Sequence, residues 1–200
     1  MAVTSTVAIC RMALTNIGAS ASIESLTEDS KEANLCNTWF DQARLETLEA
    51  FDWSFARRRV ALALHSEDAP EGLWTFRYQY PDSCVSLRYI VNPLGTDEDA
   101  VPFETELNSD GTQKTVITDE EDAIGVFTSD VTNPGLFSRH FVQTLARKLG
   151  AHIAFDITGK QEIVDKQNQA WAYMISTATG HNANERQQKA PREAEWIRKR

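Results

Sequence analysis

The sequence predicts an α+β protein: an antiparallel bundle of about four helices with an inserted small, mostly antiparallel β-sheet and an extended C-terminal arm. Three patterns carry that expectation. Apolar residues recur every three or four positions in the first and last thirds of the chain, the period of one helix face. In the middle third they alternate between turn signals, the period of a half-buried strand. Near the end, in 185–200, Trp196 and Ile197 are the only large apolar residues, too few to offset the entropy of ordering that stretch alone. With 200 residues, 42% of them hydrophobic, the rest of the chain can bury a core of its own.

Val7, Cys10, Leu14 and Ile17 trace the first helical face, and Gly18 follows as its stop. The small, polar stretch 19–27 reads as a loop. Asp29 with Glu32 has the spacing of a capping box, and it opens a long amphipathic helix with Ala33, Cys36, Phe40, Ala43 and Ala50 on its inner face. That helix ends in an aromatic cluster, Phe51, Trp53 and Phe55. Strands are expected at 73–80, 85–91, 101–107, 112–118 and 123–128. Asn108-Ser109-Asp110-Gly111 joins the middle pair as a hairpin turn, because Asn, Asp and Gly tolerate positive φ. Asn133-Pro134 then opens a third helix, with Asn as cap and Pro at the first helical position. Its stripe is Phe137, Phe141, Leu145, Leu149, Ile153 and Ile157. Thr158 and Gln161 form a capping box for a fourth helix, faced by Val164, Ala170, Trp171, Met174 and Ala178 and stopped at Gly180. The short connection makes these two helices antiparallel neighbours. The expected organisation is N-terminal bundle helices in 1–64, an inserted β-rich region in 65–131, a helical hairpin in 132–182 and the arm in 183–200.

The formal charge of −9 argues against a general nucleic-acid coat, which would need a cationic surface to neutralise phosphate. The charge is unevenly spread. Residues 185–200 carry Arg186, Lys189, Arg192, Arg198, Lys199 and Arg200 against Glu185, Glu193 and Glu195, so the arm is +3 and the body −12. No apolar run approaches the roughly 18 residues of a membrane span, and the N-terminus has no secretion-signal pattern. Cys10, Cys36 and Cys84 are odd in number and far apart, as reduced core thiols of a cytoplasmically assembled protein would be.

Catalytic, metal-binding and cofactor-binding residues are all absent from this reading. His140 and His152 share one expected helix but lie about three turns, roughly 18 Å, apart, too far for one metal. There is no HExxH and no paired CxxC. Gly159-Lys160-Gln161 lacks the preceding glycine and the hydroxyl of a phosphate-binding loop. Glu106-x-Asn108-x-Asp110-Gly111 echoes the start of a calcium loop, but its twelfth position is Ile117 where a bidentate carboxylate is needed. The acidic run Asp119-Glu120-Glu121-Asp122 reads as a solvated turn between strands, with recruitment of cations or a basic partner as the alternative. Two basic features remain as interaction candidates. Arg57-Arg58-Arg59 follows the aromatic cluster, as a charged edge or an interface. In the arm, Trp196 and Ile197 are apolar anchors framed by Arg192, Arg198, Lys199 and Arg200.

ICRMALTNIG, then SLTEDSKEANLCNTWFDQARLETLEAFDWSFARRRVALAL, resembles the opening of the tail tubular protein A group. FRYQYPDSCVSLRYI, the Asp-Gly hairpin and FSRHFVQTLARKLGAHIAFDITGK continue the likeness in order, over residues 5–182, with Asp52-Trp53-Ser54-Phe55-Ala56 and Tyr80-Pro81-Asp82 as signposts. These proteins are head-to-tail adaptors of short-tailed bacteriophages. The resemblance implies a structural virion protein, assembled in the host cytoplasm, without catalytic residues or cofactors. It implies a ring of about twelve subunits under the portal protein. Its partners would be that portal, neighbouring adaptor subunits and a downstream tail nozzle protein, with genome DNA passing through unbound and no membrane involved. The arm is then the expected portal-binding element. Two rival readings are a small nucleic-acid-binding module using Arg57 to Arg59 and the terminal cations, and an enzyme assembled from acids such as Asp119, Glu121 and Asp156.

Overall fold

The computed structural model describes residues 5–20, 23–92 and 101–183, so the arm residues named above lie outside the described residues. The fold is α+β. It consists of a helical unit, built from the chain up to Ala56 and again from Asp130, and a β unit, Arg57–Ser129.

The helical unit holds α1 (Thr6–Asn16), α2 (Lys31–Ala50), α3 (Arg139–Thr158) and α4 (Gln161–Ala183). All three other helices pack on α3. The reason is compositional: Phe141, Leu145, Leu149 and Ile153 recur every four residues and are completely buried, each burial contributing about 1.5–3 kcal/mol. A Cβ on Gly150 would come within 3.4 Å of Ile17 and 3.5 Å of the Ala13 carbonyl oxygen, so this glycine lets α1 and α3 approach closely. Serines cap three of the helices. Ser5, Ser30 and Ser138 each accept a hydrogen bond from the backbone N–H three residues on, satisfying donors the first turn leaves open. Gly159 ends α3 with φ +66, the left-handed conformation that a glycine adopts without strain. Arg44 is 4% exposed and donates to Asp130, to the Val131 carbonyl and to Asp41, tying α2 to the segment where the chain re-enters the helical unit.

The β unit contains β1 (Arg57–Ala61), β2 (Phe76–Gln79), β3 (Cys84–Ile90), β4 (Phe103–Leu107), β5 (Lys114–Thr118) and β6 (Ile124–Ser129). They form two antiparallel sheets in the orders β1-β6-β3 and β2-β5-β4. Isolated bridges join the sheets on both sides: Leu64 pairs with Tyr78 beyond the end of β1, and Ile90 pairs with Val101 ahead of β4. These bridges bring the two sheets together around a shared core of Leu62, Tyr78, Ile90, Val116 and Ala123.

Several local expectations are corrected. Arg57–Ala61 forms a strand, although the sequence placed it with the N-terminal helices, so the boundary moves from residue 64 to Ala56 and its counterpart from 131 to Ser129. Arg57-Arg58-Arg59-Val60-Ala61 has no alternation to mark a strand, and it becomes one by pairing residue for residue with β6. Asn133-Pro134 opens a 3-10 turn, Pro134–Leu136, with the Asn133 side chain accepting from the Gly135 N–H; Ser138 caps the α-helix itself. Ser30 takes the capping role expected of Asp29. Thr158 and Gln161 do not cap reciprocally: Thr158 accepts from the Lys160 N–H, and Gln161 donates to Asp165. Gly180 does not stop α4, which continues to Ala183.

Candidate interaction surfaces

Of the sequence-flagged basic triplet, Arg58 lines a groove of the β unit. It is lined by Arg58, Val60 and Leu62 from β1 and its continuation, by Phe127 of β6, and by Tyr80 and Asp82 of the β2–β3 turn. The cavity measures about 290 Å³. Beside it the chain passes from one sheet to the other: the Leu62 N–H donates to the Ala123 carbonyl, then the Gln79 N–H donates to the Ala63 carbonyl and the His65 N–H to the Arg77 carbonyl. Arg58 and Asp82 are exposed at this groove, whereas Leu62 and Phe127 are buried. Arg59 reaches the Tyr89 hydroxyl at 3.5 Å. The turn itself is held by Ser83 in the left-handed region at φ +56, with its hydroxyl 3.2 Å from that of Ser129. Lys114 sits 4.2 Å over the Tyr80 ring.

The acidic run is a structured turn between β5 and β6. Asp119 accepts from both the backbone N–H and the hydroxyl of Thr75, and the Glu120 carbonyl accepts from the Tyr78 hydroxyl. At the calcium-like stretch, Asn108 accepts from the N–H groups of Thr112 and Gln113, which closes the hairpin. Glu106 is engaged with Arg77, a side chain 7% exposed that also donates to Thr115 and to the Asp68 carbonyl. Asp119 and Glu121 belong to the β unit and Asp156 to α3 of the helical unit. Among the described residues no group of three or more His, Cys, Asp or Glu side chains could hold a metal ion. No helix among them is long and apolar enough to cross a membrane.

Within the helical unit, the aromatic cluster after α2 packs inward. Trp53 donates its indole N–H to the Thr47 carbonyl at 2.7 Å and meets Phe51 and Phe141 edge-on, while Phe55 packs on Phe137 and Phe141. A second constellation escaped the sequence reading. The Trp39 and His152 rings stack at 4.9 Å, Glu46 accepts from Lys148 at 2.8 Å and from His152 at 3.2 Å, and Lys148 lies 4.5 Å over Trp171. It links α2 to the α3–α4 hairpin, with Glu46 and His152 106 positions apart, and no spacing rule reveals such a group. Burial alone would raise the Glu46 carboxyl, but hydrogen bonds from Lys148 and Gln42 and the charges of His152 and Lys148 outweigh it and hold the group below its ordinary value. Cys10 and Cys36 are both fully buried and all three cysteines are free thiols. The hydrogen bond with Cys36, then burial, pushes the Cys10 thiol far up, so it stays protonated.

No family model matches this chain, and no curated protein matches it either.

Proposed function

We propose that this chain is a structural head-to-tail adaptor of a short-tailed bacteriophage, forming a ring of about twelve copies under the portal and extending the DNA channel toward the tail nozzle. The observation that carries the reading is the order of parts. Helices bracket a single inserted β unit, and a cationic, Trp-bearing terminus follows the last helix, in the same order as the sequence likeness to tail tubular protein A. The charge distribution supports it. A −12 body does not retain duplex passing through a channel, since each fixed cation against phosphate would add salt-sensitive affinity. The +3 arm is reserved for protein, with Trp196 and Ile197 as anchors and Arg192, Arg198, Lys199 and Arg200 for acids on the portal. On this reading the protein resides at the head–tail junction of the virion, needs no cofactor and catalyses nothing.

The test is co-expression of the full chain with the portal protein encoded in the same genome, followed by cryo-EM of the purified particles. A ring of this chain on the portal, lost when Trp196 and Ile197 are both changed to Ser, is the expected result. Portal particles that never carry the chain would refute the adaptor reading. Tight duplex binding at physiological salt would favour the nucleic-acid module instead.

A further inference from the structure

We infer that Cys10 and Cys36 form a redox-sensitive lock, open as two thiols and closed by hydrogen peroxide into a disulfide that ties α1 to α2. Nothing in this lock depends on what the chain assembles with, so it stands or falls apart from the adaptor reading above.

Two helix faces build the pair. Cys10 lies on the buried face of α1 with Ala13 and Leu14, and Cys36 on the buried face of α2 with Ala33 and Phe40. Both cysteines are completely buried, and so are Ala13 and Ala33, each one turn away on the same face. These small side chains beside the thiols leave room for α1 and α2 to meet. Across that contact the two thiols are hydrogen-bonded to each other. A disulfide brings its sulfurs to about 2.05 Å, and thiols already in contact reach that by turning about χ1 with a small shift of α1. Cys84, the third free thiol, belongs to the β unit.

Burial selects the oxidant. A bulky disulfide such as oxidised glutathione has no path to thiols in a packed core. Peroxide is scarcely larger than water and enters during the local openings that a short helix such as α1 undergoes. The hydrogen bond from Cys10 draws the Cys36 thiol below its ordinary value, against burial and the charge of Glu32 one turn earlier. Cys36 is therefore the attacking sulfur and Cys10 the resolving one. The Cys36 thiolate attacks one peroxide oxygen, the O–O bond breaks, and hydroxide leaves to take up the proton that Cys36 gave away, leaving a sulfenic acid. The Cys10 sulfur then attacks the Cys36 sulfur. Its S–H proton leaves with the displaced hydroxyl as water, and the S–S bond forms. Two electrons pass from the thiols to one peroxide, which ends as two waters.

The closed lock acts where the helical unit is most loosely joined, since α1 packs chiefly on α3 and only lightly on α2. It also closes a loop of about 25 residues, which restricts the unfolded chain and so stabilises the folded one.

The test uses the full chain carrying Cys84→Ser, which leaves Cys10 and Cys36 as its two cysteines. Folded protein is exposed to a modest excess of peroxide, cleared with catalase, unfolded in an alkylating buffer and weighed by mass spectrometry. The expected product is a monomer lighter by the mass of two hydrogens that takes up no alkyl group, with tryptic peptides 1–11 and 32–44 joined. Dithiothreitol should restore both thiols, and the linked chain should melt about 5–10 °C above the reduced one. With Cys10→Ser added, oxidation should stop at a Cys36 sulfenic acid that dimedone captures; with Cys36→Ser added instead, Cys10 should remain a thiol. Two alkylated thiols after peroxide treatment would overturn the lock, as would sulfinic or sulfonic acid without the link, or a link found only between chains. A linked chain that melts no higher than the reduced one would overturn its locking action, and dimedone capture at Cys10 would overturn the assigned order of attack.

Discussion

A methyl group on Gly125 would press on the ends of two leucine side chains. A Cβ there would lie 2.9 Å from one methyl carbon of Leu62, a core residue, and 3.2 Å from one of Leu87, which packs against that core. Both ends can turn aside, so Gly125→Ala should cost no more than about 1 kcal/mol, read as a slightly lowered midpoint in urea unfolding with an unchanged slope. Glu46 sets a second residue-scale expectation. Its folded value is depressed relative to the unfolded chain, so its contribution is fully present above about pH 4.3 and is lost as pH falls through the folded value. Stability measured from pH 6 down to about pH 3 should decline less steeply in Glu46→Gln than in wild type. An equal slope would mean that the Lys148 and His152 contacts contribute nothing at this site. None of these neighbours was legible beforehand, because Glu46 sits on one helix and its partners on another.

At the scale of elements, the clearest lesson is the start of α3. Asn133-Pro134 has the chemistry of a helix opening and does make one hydrogen-bonded turn, but the α-helix begins after a break, on Ser138. Ser138→Ala should cost about 1 kcal/mol, visible as a lower thermal midpoint, whereas Asn133→Ala should cost less because it caps only a 3-10 turn. β1 shows the converse. Its five residues carry three arginines, and four of the five are exposed, so no hydrophobic period marks them. β6 makes them a strand: its Val126, Phe127 and Thr128 are buried and supply the ladder that β1 joins. The groove inherits that illegibility. Arg58 was flagged by its charge, but Val60, Leu62, Asp82 and Phe127 come together through strand pairing and a turn in the left-handed region at Ser83.

For the whole molecule, the uneven charge has a measurable consequence. The full chain, net −9, should show little retention on duplex DNA at about 0.15 M salt. Any binding at low salt should come from the terminal cations and should vanish when Arg198, Lys199 and Arg200 are replaced by Ser. Filter binding over a salt series measures both. Binding that persists at physiological salt would contradict a channel role for the −12 body.

What the amino-acid order settled unaided was everything set by local period and local chemistry. Among the described residues it covered the four amphipathic helices, five of the six strands, the Asn108–Gly111 hairpin and the inward aromatic cluster at Trp53. These follow from side chains a few positions apart, where geometry within one element decides burial. Tertiary structure alone decided β1, the division into two bridged sheets, the Trp39–His152–Glu46–Lys148–Trp171 constellation and the groove. Each of those depends on contacts between segments separated by tens of residues, and no short-range pattern encodes which distant partner a side chain will meet.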